Sequence, residues 1–545
     1  MTPDSPATHK TSLEPEAGSP SLSTDPAWAE HTPSSSNPIK ASGLESEVHE
    51  QLAAARSAQQ AWAEWTPRAR CCVLRALRET LAGNPLGIAS ECGRGDVVET
   101  MTAEILPLLD ACRFLEVEAP RILAERSPGR RGRPKWLWGT RLALRNEPVG
   151  VALIIGPSNY PLMLPGIQAL QALAAGNGVL LKPAPGCSQP LRSLASIVEA
   201  AGLPRGLVQI LPEQPHAATT AIERGVDKVF VTGSRATGRA LAQQLAGSVT
   251  PSVMELSGCD AVFVQDDADP ALVSACLLFG ARLNQGRTCL APRRVFARDQ
   301  MVDRICSILR QDMRQHPQKG LGGTTQPSSH ARGTLRRAAH VIDEAVRAGA
   351  TLVAGDVQVV DGHRELRSLA IVDRVRSEMK LAQEDLFAPV VSFIRIASME
   401  QALLENAKCP FALGASVFGH PQRSRDLARR VQAGCVVVND MVVPAADPRV
   451  PLAGRKMSGH GTTRGEAGLL EMTQTKAIVT ARRWFKPHLQ PRAPQDAALV
   501  AQLIALEHGA SPLRRFRSSL RLISLALSSR RSRTSHGAMD HEDGS

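Results

Sequence analysis

"GVALIIGPSNYPLMLPGIQALQALAAGNGVLLKP", residues 150–183, decides how the chain reads. A short, continuously apolar run leads into a Pro-flanked turn. A segment with apolar residues at helical spacing follows, and a second apolar run closes the stretch. Strands that are apolar on both faces and separated by a helix belong to a parallel sheet covered on both sides. The same texture continues in "LASIVEAAG" (194–202), "LVQIL" (207–211) and "KVFVTG" (228–233). It resumes in "AVFVQ" (261–265), "RRVFA" (293–297), "VVSFIRI" (390–396) and "GCVVVND" (434–440), so the fold class expected is α/β with two such domains.

Outward from this core the texture changes. Residues 1–43 are rich in Ser, Thr, Pro and Glu and have too little apolar surface to offset their ordering entropy, which predicts a disordered leader. From Leu44, "SEVHEQLAAARSAQQAWAEW" and "ARCCVLRALRETLA" carry apolar residues at helical spacing. At the other end, "SPLRRFRSSLRLISLALSSRRSR" (511–533) places Leu513, Phe516, Leu520, Ile523 and Leu527 on one helical face. Arg514, Arg515, Arg517 and Arg521 stand beside that face and no acid interrupts it, the pattern either of a helix packed on the protein's own surface or in an oligomer interface, or of one lying on an anionic membrane surface. The division expected is a leader over 1–43, a cofactor domain over 44–254 and a thiol-bearing domain over 255–455. A return segment follows over 456–482, then a basic tail over 483–545 with an amphipathic helix at 513–527.

A chain of 545 residues is too long for one core. Aromatics at 3% argue against a nucleic-acid surface built on stacking. The net charge of +12 comes largely from arginine clusters near 127–135 and 514–533. Eleven cysteines, an odd number without a CxxC pair, and fourteen unclustered histidines fit reduced thiols and no metal site, hence a cytoplasmic location. The sequence shows no secretory signal and no apolar run of eighteen residues.

Five places carry candidate chemistry. Cys289 sits in the polar turn "ARLNQGRTCLAPRR" (281–294) between an apolar helix and a strand. In "VFVTGSRATGRA", Gly233, Ser234 and Gly238 form a strand-to-helix turn that admits a phosphate to a helix N-terminus. Lys182 ends a buried strand, within reach of a ribose hydroxyl or phosphate. Asn159 lies in a turn at a strand's C-terminal end, the edge where open α/β sheets bind ligands. Glu255 interrupts an apolar run in "SVMELSG", as a paired carboxylate or a base would. Each taken singly has an ordinary structural explanation: a core thiol, turn glycines, a solvated lysine, turn chemistry, a buried ion pair.

In combination they do not. The order "SNYP", "LKP", "VTGSRATG", "MELSG", "NQGRTC", "QEDLFAPV" and "PLAGRKMSGHG" resembles the NAD(P)-dependent aldehyde dehydrogenase family over about residues 44–482. The resemblance implies a Rossmann-type cofactor domain, an α/β catalytic domain and a small oligomerisation element. It implies Cys289 as nucleophile, Asn159 as oxyanion donor and Glu255 as general base. It places Lys182 at the adenosine ribose, Gly233, Ser234 and Gly238 along the pyrophosphate turn, Phe387 beside the nicotinamide and Asp385 near its ribose. Dimers or tetramers through "TKAIVTARR" (475–483) are implied as well.

The chain departs from the family pattern in places. Arg287 replaces a glutamine, "SGC" stands for "GGK" after Glu255, "DLFAP" for "EIFGP" and "LAG" for "FGG". Pro185 stands three residues after Lys182, where members that prefer NAD often carry glutamate, so NADP should be tolerated beside NAD. The segments "PLMLP" and "NDMVVPAADP" bear no Lys or Arg at the site-flanking positions, which favours an apolar, medium- or long-chain aldehyde. "NYP", "ND" with its apolar loop and the stretch around "PLAGRKMSGHG" resemble the fatty-aldehyde branch and members acting on long apolar or carotenoid aldehydes. Two rival readings remain: an enzyme that passes the acyl group to coenzyme A, and a non-catalytic scaffold. Retention of Glu255 weighs against the first, and retention of Cys289, Glu255 and Asn159 together against the second.

Overall fold

The computed structural model describes residues 38–137, 139–315, 329–481, 486–489, 491–492, 494 and 496–536. The first 37 residues of the expected leader therefore lie outside the described residues. Its last six do not belong to a leader, because the first helix already starts at Pro38 and runs to Ala63.

The stretch 150–183 forms strand Val151–Ile155, helix Met163–Ala175 and strand Gly178–Lys182. These strands are the centre of a six-stranded sheet. Its order is Gly459–His460, Ser252–Leu256, Lys228–Gly233, Val151–Ile155, Gly178–Lys182, Val208–Ile210, all parallel except the first. Helix Met163–Ala175 is buried at every position, which is why it reads as apolar all round and not as a striped surface helix. Trp62, fully buried, donates its indole N–H to Leu173 O at 2.9 Å and so fastens the first helix onto this one.

A second sheet of seven strands follows, in the order Cys435–Val438, Gly414–Phe418, Asp260–Val264, Pro292–Ala297, Val390–Arg395, Ala370–Asp373, Thr351–Ala354. Only the last pairs antiparallel. The chain passes from the first sheet to the second through Ser257–Cys259 alone. Glu255, expected to open the second domain, therefore sits on the outer parallel strand of the first sheet.

The return segment supplies Gly459–His460, paired with Ser252–Leu256, and strand Thr473–Thr480, paired antiparallel with Arg141–Pro148 in a separate ribbon. That ribbon leaves Leu142, Ile478 and Val479 exposed. In the tail, helix Asp496–His508 is followed by helix Pro512–His536. Arg515 ties the second to the end of the first by donating to Gly509 O and Glu507 O at 2.9 and 3.1 Å. Leu513, Phe516, Leu520 and Ile523 all stay more than half exposed, while the side chain of Leu527 lies outside the described residues. Among the described residues no helix is long and apolar enough to cross a membrane.

Candidate active site

Asn159, Glu255 and Cys289 come from three separate segments and meet where the two sheets face each other. Cys289 follows a turn in which Asn284, Gln285 and Gly286 all take positive φ (49°, 57° and 76°). Gly286 is required there: a Cβ would lie 2.4 Å from Pro389 N. Buried Arg293 locks this turn to the "DLFAP" loop, donating to Gly286 O and Ala388 O at 2.6 Å each and pairing with Asp385 at 3.2 Å. Asn284 donates its amide to Asn159 O at 2.9 Å, and Asn159 returns a hydrogen bond to Arg287 O at 3.0 Å. Asn159 is thereby fixed against the thiol-bearing turn with one amide hydrogen left to donate.

Glu255 is almost fully buried, and Thr463 donates its hydroxyl hydrogen to Glu255 Oε2 at 2.9 Å. The carboxyl group lies against the Cys289 thiol, and its Oε1 has no hydrogen bond of good geometry. Burial pushes the carboxyl above the usual range, while the Arg464 charge and the Thr463 hydroxyl pull it back. The Cys289 thiol is pushed up first by burial and then by Glu255. Cys289 keeps partial exposure in its polar turn, yet the burial around its sulfur and the acids beside it raise the thiol where a positive turn would lower it. The eleven cysteines are free.

Of the residues expected to hold a dinucleotide, Lys182, Gly233 and Ser234 lie at the C-terminal edge of the first sheet, Gly238 in the helix that follows, and Asp385 and Phe387 in the loop before strand Val390–Arg395 of the second. Lys182 ends its strand, buried, and burial lowers its ammonium below the usual value. It makes no ion pair among the described residues. Ser234 caps helix Arg235–Ser248 through a hydrogen bond from Thr237 N at 3.1 Å, next to Gly233 at the strand's end. Gly238 does not face that turn. It packs the helix on the sheet, where a Cβ would meet Leu256 at 2.5 Å. Asp385 is buried, with Oδ1 on Arg293 and Phe387 N and Oδ2 without a partner. Phe387 takes φ 51°, a strained value for an aromatic residue, of the kind that clusters at binding sites. A buried lysine without an ion-pair partner, an orphaned carboxylate oxygen and an open helix N-terminus fit the ribose and pyrophosphate groups of a dinucleotide.

Several site residues escaped the sequence reading. Glu104, fully buried, accepts from Leu162 N and Met163 N at 3.1 and 2.7 Å and so caps the helix behind Asn159. Arg94 joins it, donating to Asn159 O at 2.9 Å and lying over the Tyr160 ring. Glu213 accepts from Gly186 N and Ser188 N at 2.7 and 3.1 Å, which sets an acid on the loop after Lys182. Arg464 puts a buried cation beside the two flanking segments that carry no Lys or Arg of their own, donating to Ala445 O at 2.9 Å and touching Met163 Sδ at 3.9 Å.

Comparison with known proteins agrees with this geometry. A family model described as "Aldehyde dehydrogenase family" matches residues 29–478. The chain is 28% identical over 444 residues to a 4,4'-diapolycopene aldehyde oxidase of Methylomonas sp, covering 80% of this chain and 82% of that one. It is 26% identical over 451 residues to a Mycolicibacterium smegmatis protein that bears the name of a succinate-semialdehyde dehydrogenase using NADP(+), covering 81% and 86%. Among solved structures, betaine aldehyde dehydrogenase from Staphylococcus aureus in complex with NAD+ superposes with a TM-score of 0.74 at 22% identity, over 82% of this chain and 90% of that chain. With the fold, the thiol turn and the family match in agreement, the chain belongs to the aldehyde dehydrogenase family of oxidoreductases.

Proposed function

We propose that this protein oxidises an apolar, medium- or long-chain aldehyde to the carboxylic acid, with Cys289 as nucleophile and NAD or NADP as hydride acceptor. The observation that carries the reading is the Cys289 thiol lying against the Glu255 carboxyl, with Asn159 locked to the same turn. The Cys289 sulfur attacks the aldehyde carbon. The resulting alkoxide is met by the free Asn159 amide hydrogen and the Cys289 backbone N–H, each such donor being worth about 10²- to 10³-fold in rate. Lys182, Ser234 and Asp385 would hold the dinucleotide, which would supply the hydride acceptor for collapse of the alkoxide to a thioester. Glu255 then takes a proton from water, whose oxygen attacks the thioester carbon. The acid departs and the Cys289 sulfur is released.

Support for an apolar substrate comes from the neutral side chains of Met163, Met441, Val442 and Ala445 on the two flanking segments and from one relative's name, a carotenoid-derived aldehyde. The exposed apolar stripe of helix Pro512–His536, with Arg514, Arg517 and Arg521 beside it, supports docking on anionic lipid, where such aldehydes partition. The exposed ribbon Arg141–Pro148 with Thr473–Thr480 supports self-association as dimer or tetramer. Free thiols suit a reducing cytoplasm.

The test is pre-steady-state mixing with a panel of aldehydes, with and without coenzyme A. Cys289→Ser should lose oxidation while keeping cofactor affinity. Glu255→Gln should give a burst of about one reduced cofactor per site and then stall. Wild-type turnover by Cys289→Ser would sink the mechanism, and turnover that requires coenzyme A would replace water as the acyl acceptor.

A further inference from the structure

Arg464 follows Thr463, the hydrogen-bond partner of Glu255, and has no assigned task. Arg464 is only 8% exposed and takes φ 61°, a conformation an arginine adopts only where its surroundings hold it. Its fixed contacts are neutral: Ala445 O and Met163 Sδ. No carboxylate of the described residues comes within ion-pair distance of it. A guanidinium cannot shed its proton, so a buried one needs counter-charge nearby. Its neighbour Thr463 donates to Glu255 at 2.9 Å, and its contact Met163 lies four residues after Asn159, so Arg464 stands on the segments that hold the acid and the amide.

We propose that Arg464 is a positioning residue whose guanidinium supplies the positive charge that lets the Cys289 thiolate and the Glu255 carboxylate coexist in this site. The inference rests on the reading of Cys289 and Glu255 as nucleophile and base. Both groups must be ionised in the cycle, and two adjacent buried anions repel each other. The charged groups that act on the Cys289 thiol are Glu255 from strand Ser252–Leu256, Asp260 from strand Asp260–Val264, Asp385 from the loop before Phe387, and Arg464. The first three are acids that oppose thiolate formation, and Arg464 alone favours it. Arg464 also exerts the largest pull toward ionised Glu255. The phenol of Tyr160, bonded to Thr288 at 2.7 Å, faces the same thiol as a neutral group.

The readout is the rate at which iodoacetamide alkylates Cys289, followed by mass spectrometry against pH without aldehyde. Wild type, Arg464→Met, Arg464→Gln and Arg464→Lys are compared, with cofactor binding as the check of folding. Arg464→Met and Arg464→Gln should move the alkylation midpoint up by about one pH unit, slowing the reaction near neutral pH roughly tenfold. Arg464→Lys should restore most of it, and the acid limb of kcat/KM should move in parallel. An unchanged alkylation profile in a folded Met or Gln variant overturns the proposal. So does a variant that changes only KM for aldehydes carrying a carboxylate, which would make the guanidinium a substrate anchor. A shifted profile combined with wild-type turnover by Cys289→Ser would overturn the proposed function and leave the charge relationship standing.

Discussion

Thr463 donates its hydroxyl hydrogen to Glu255 across 208 residues of chain, at 2.9 Å. The bond favours the ionised carboxyl and also fixes its direction toward Cys289. In Thr463→Val the carboxyl should titrate higher. With Glu255 as the proposed base, working in its ionised form, the acid limb of kcat should shift to higher pH, with a fall of about three- to tenfold near pH 6. A pH profile of kcat checks this, and an unmoved acid limb would show that the bond orients without tuning.

Glu104 is held up at about 7, chiefly by burial. A carboxyl whose folded value stands above its unfolded 4.5 favours the fold fully below about pH 4.5 and loses that contribution as pH rises through 7. Melting temperature should therefore fall between pH 5 and 8 in wild type, and less steeply in Glu104→Gln. A constant gap between the two proteins across that range would refute the burial argument.

Glu213 is held below the usual carboxylate range, first by the Gly186 N–H, and stays ionised beside the loop that follows Lys182. This acid opposes a 2′-phosphate where Pro185 does not. Titration of Glu213→Gln should show NADP+ affinity rising several-fold relative to NAD+, more at low salt than at high. Equal effects on both dinucleotides would place the acid outside the discriminating region.

Co-sedimentation with vesicles tests the tail. Full-length protein should pellet with anionic vesicles and not with neutral ones, and a chain ending at Arg492 should pellet with neither. Phe516→Ser combined with Leu520→Ser should weaken the binding without altering turnover of a water-soluble aldehyde. Equal binding by the full and shortened chains would remove the helix from the contact.

Much of this architecture is legible in sequence because its signals are local. Residues 150–183 announce a strand, a buried helix and a strand by composition alone, and the fold follows. Cys289, Glu255 and Asn159 stand in short stretches whose order resembles one family. Arg464, Thr463, Glu104 and Glu213 were not legible, because their partners lie far along the chain: 208 residues for Thr463, 58 and 59 for Glu104. No periodicity reports such pairings. Gly238 was misread for a related reason, since a turn glycine and a packing glycine look alike until Leu256 is seen above it. The raised thiol was not legible either, because it follows from burial and then from Glu255, which comes from a distant strand.

The chain steps from one sheet to the other through Ser257, Gly258 and Cys259, with Glu255, the proposed base, just before the step. Those three residues act as a ruler between two halves of a catalyst. Gly258 has no slack, since a Cβ would come within 3.0 Å of Cys289 O. Lengthening the step by one residue would leave both sheets able to form and draw acid and sulfur out of register, giving a folded protein without a working centre. Neither half made alone should carry a fraction of the activity, because the proposed base and nucleophile come together only along the join.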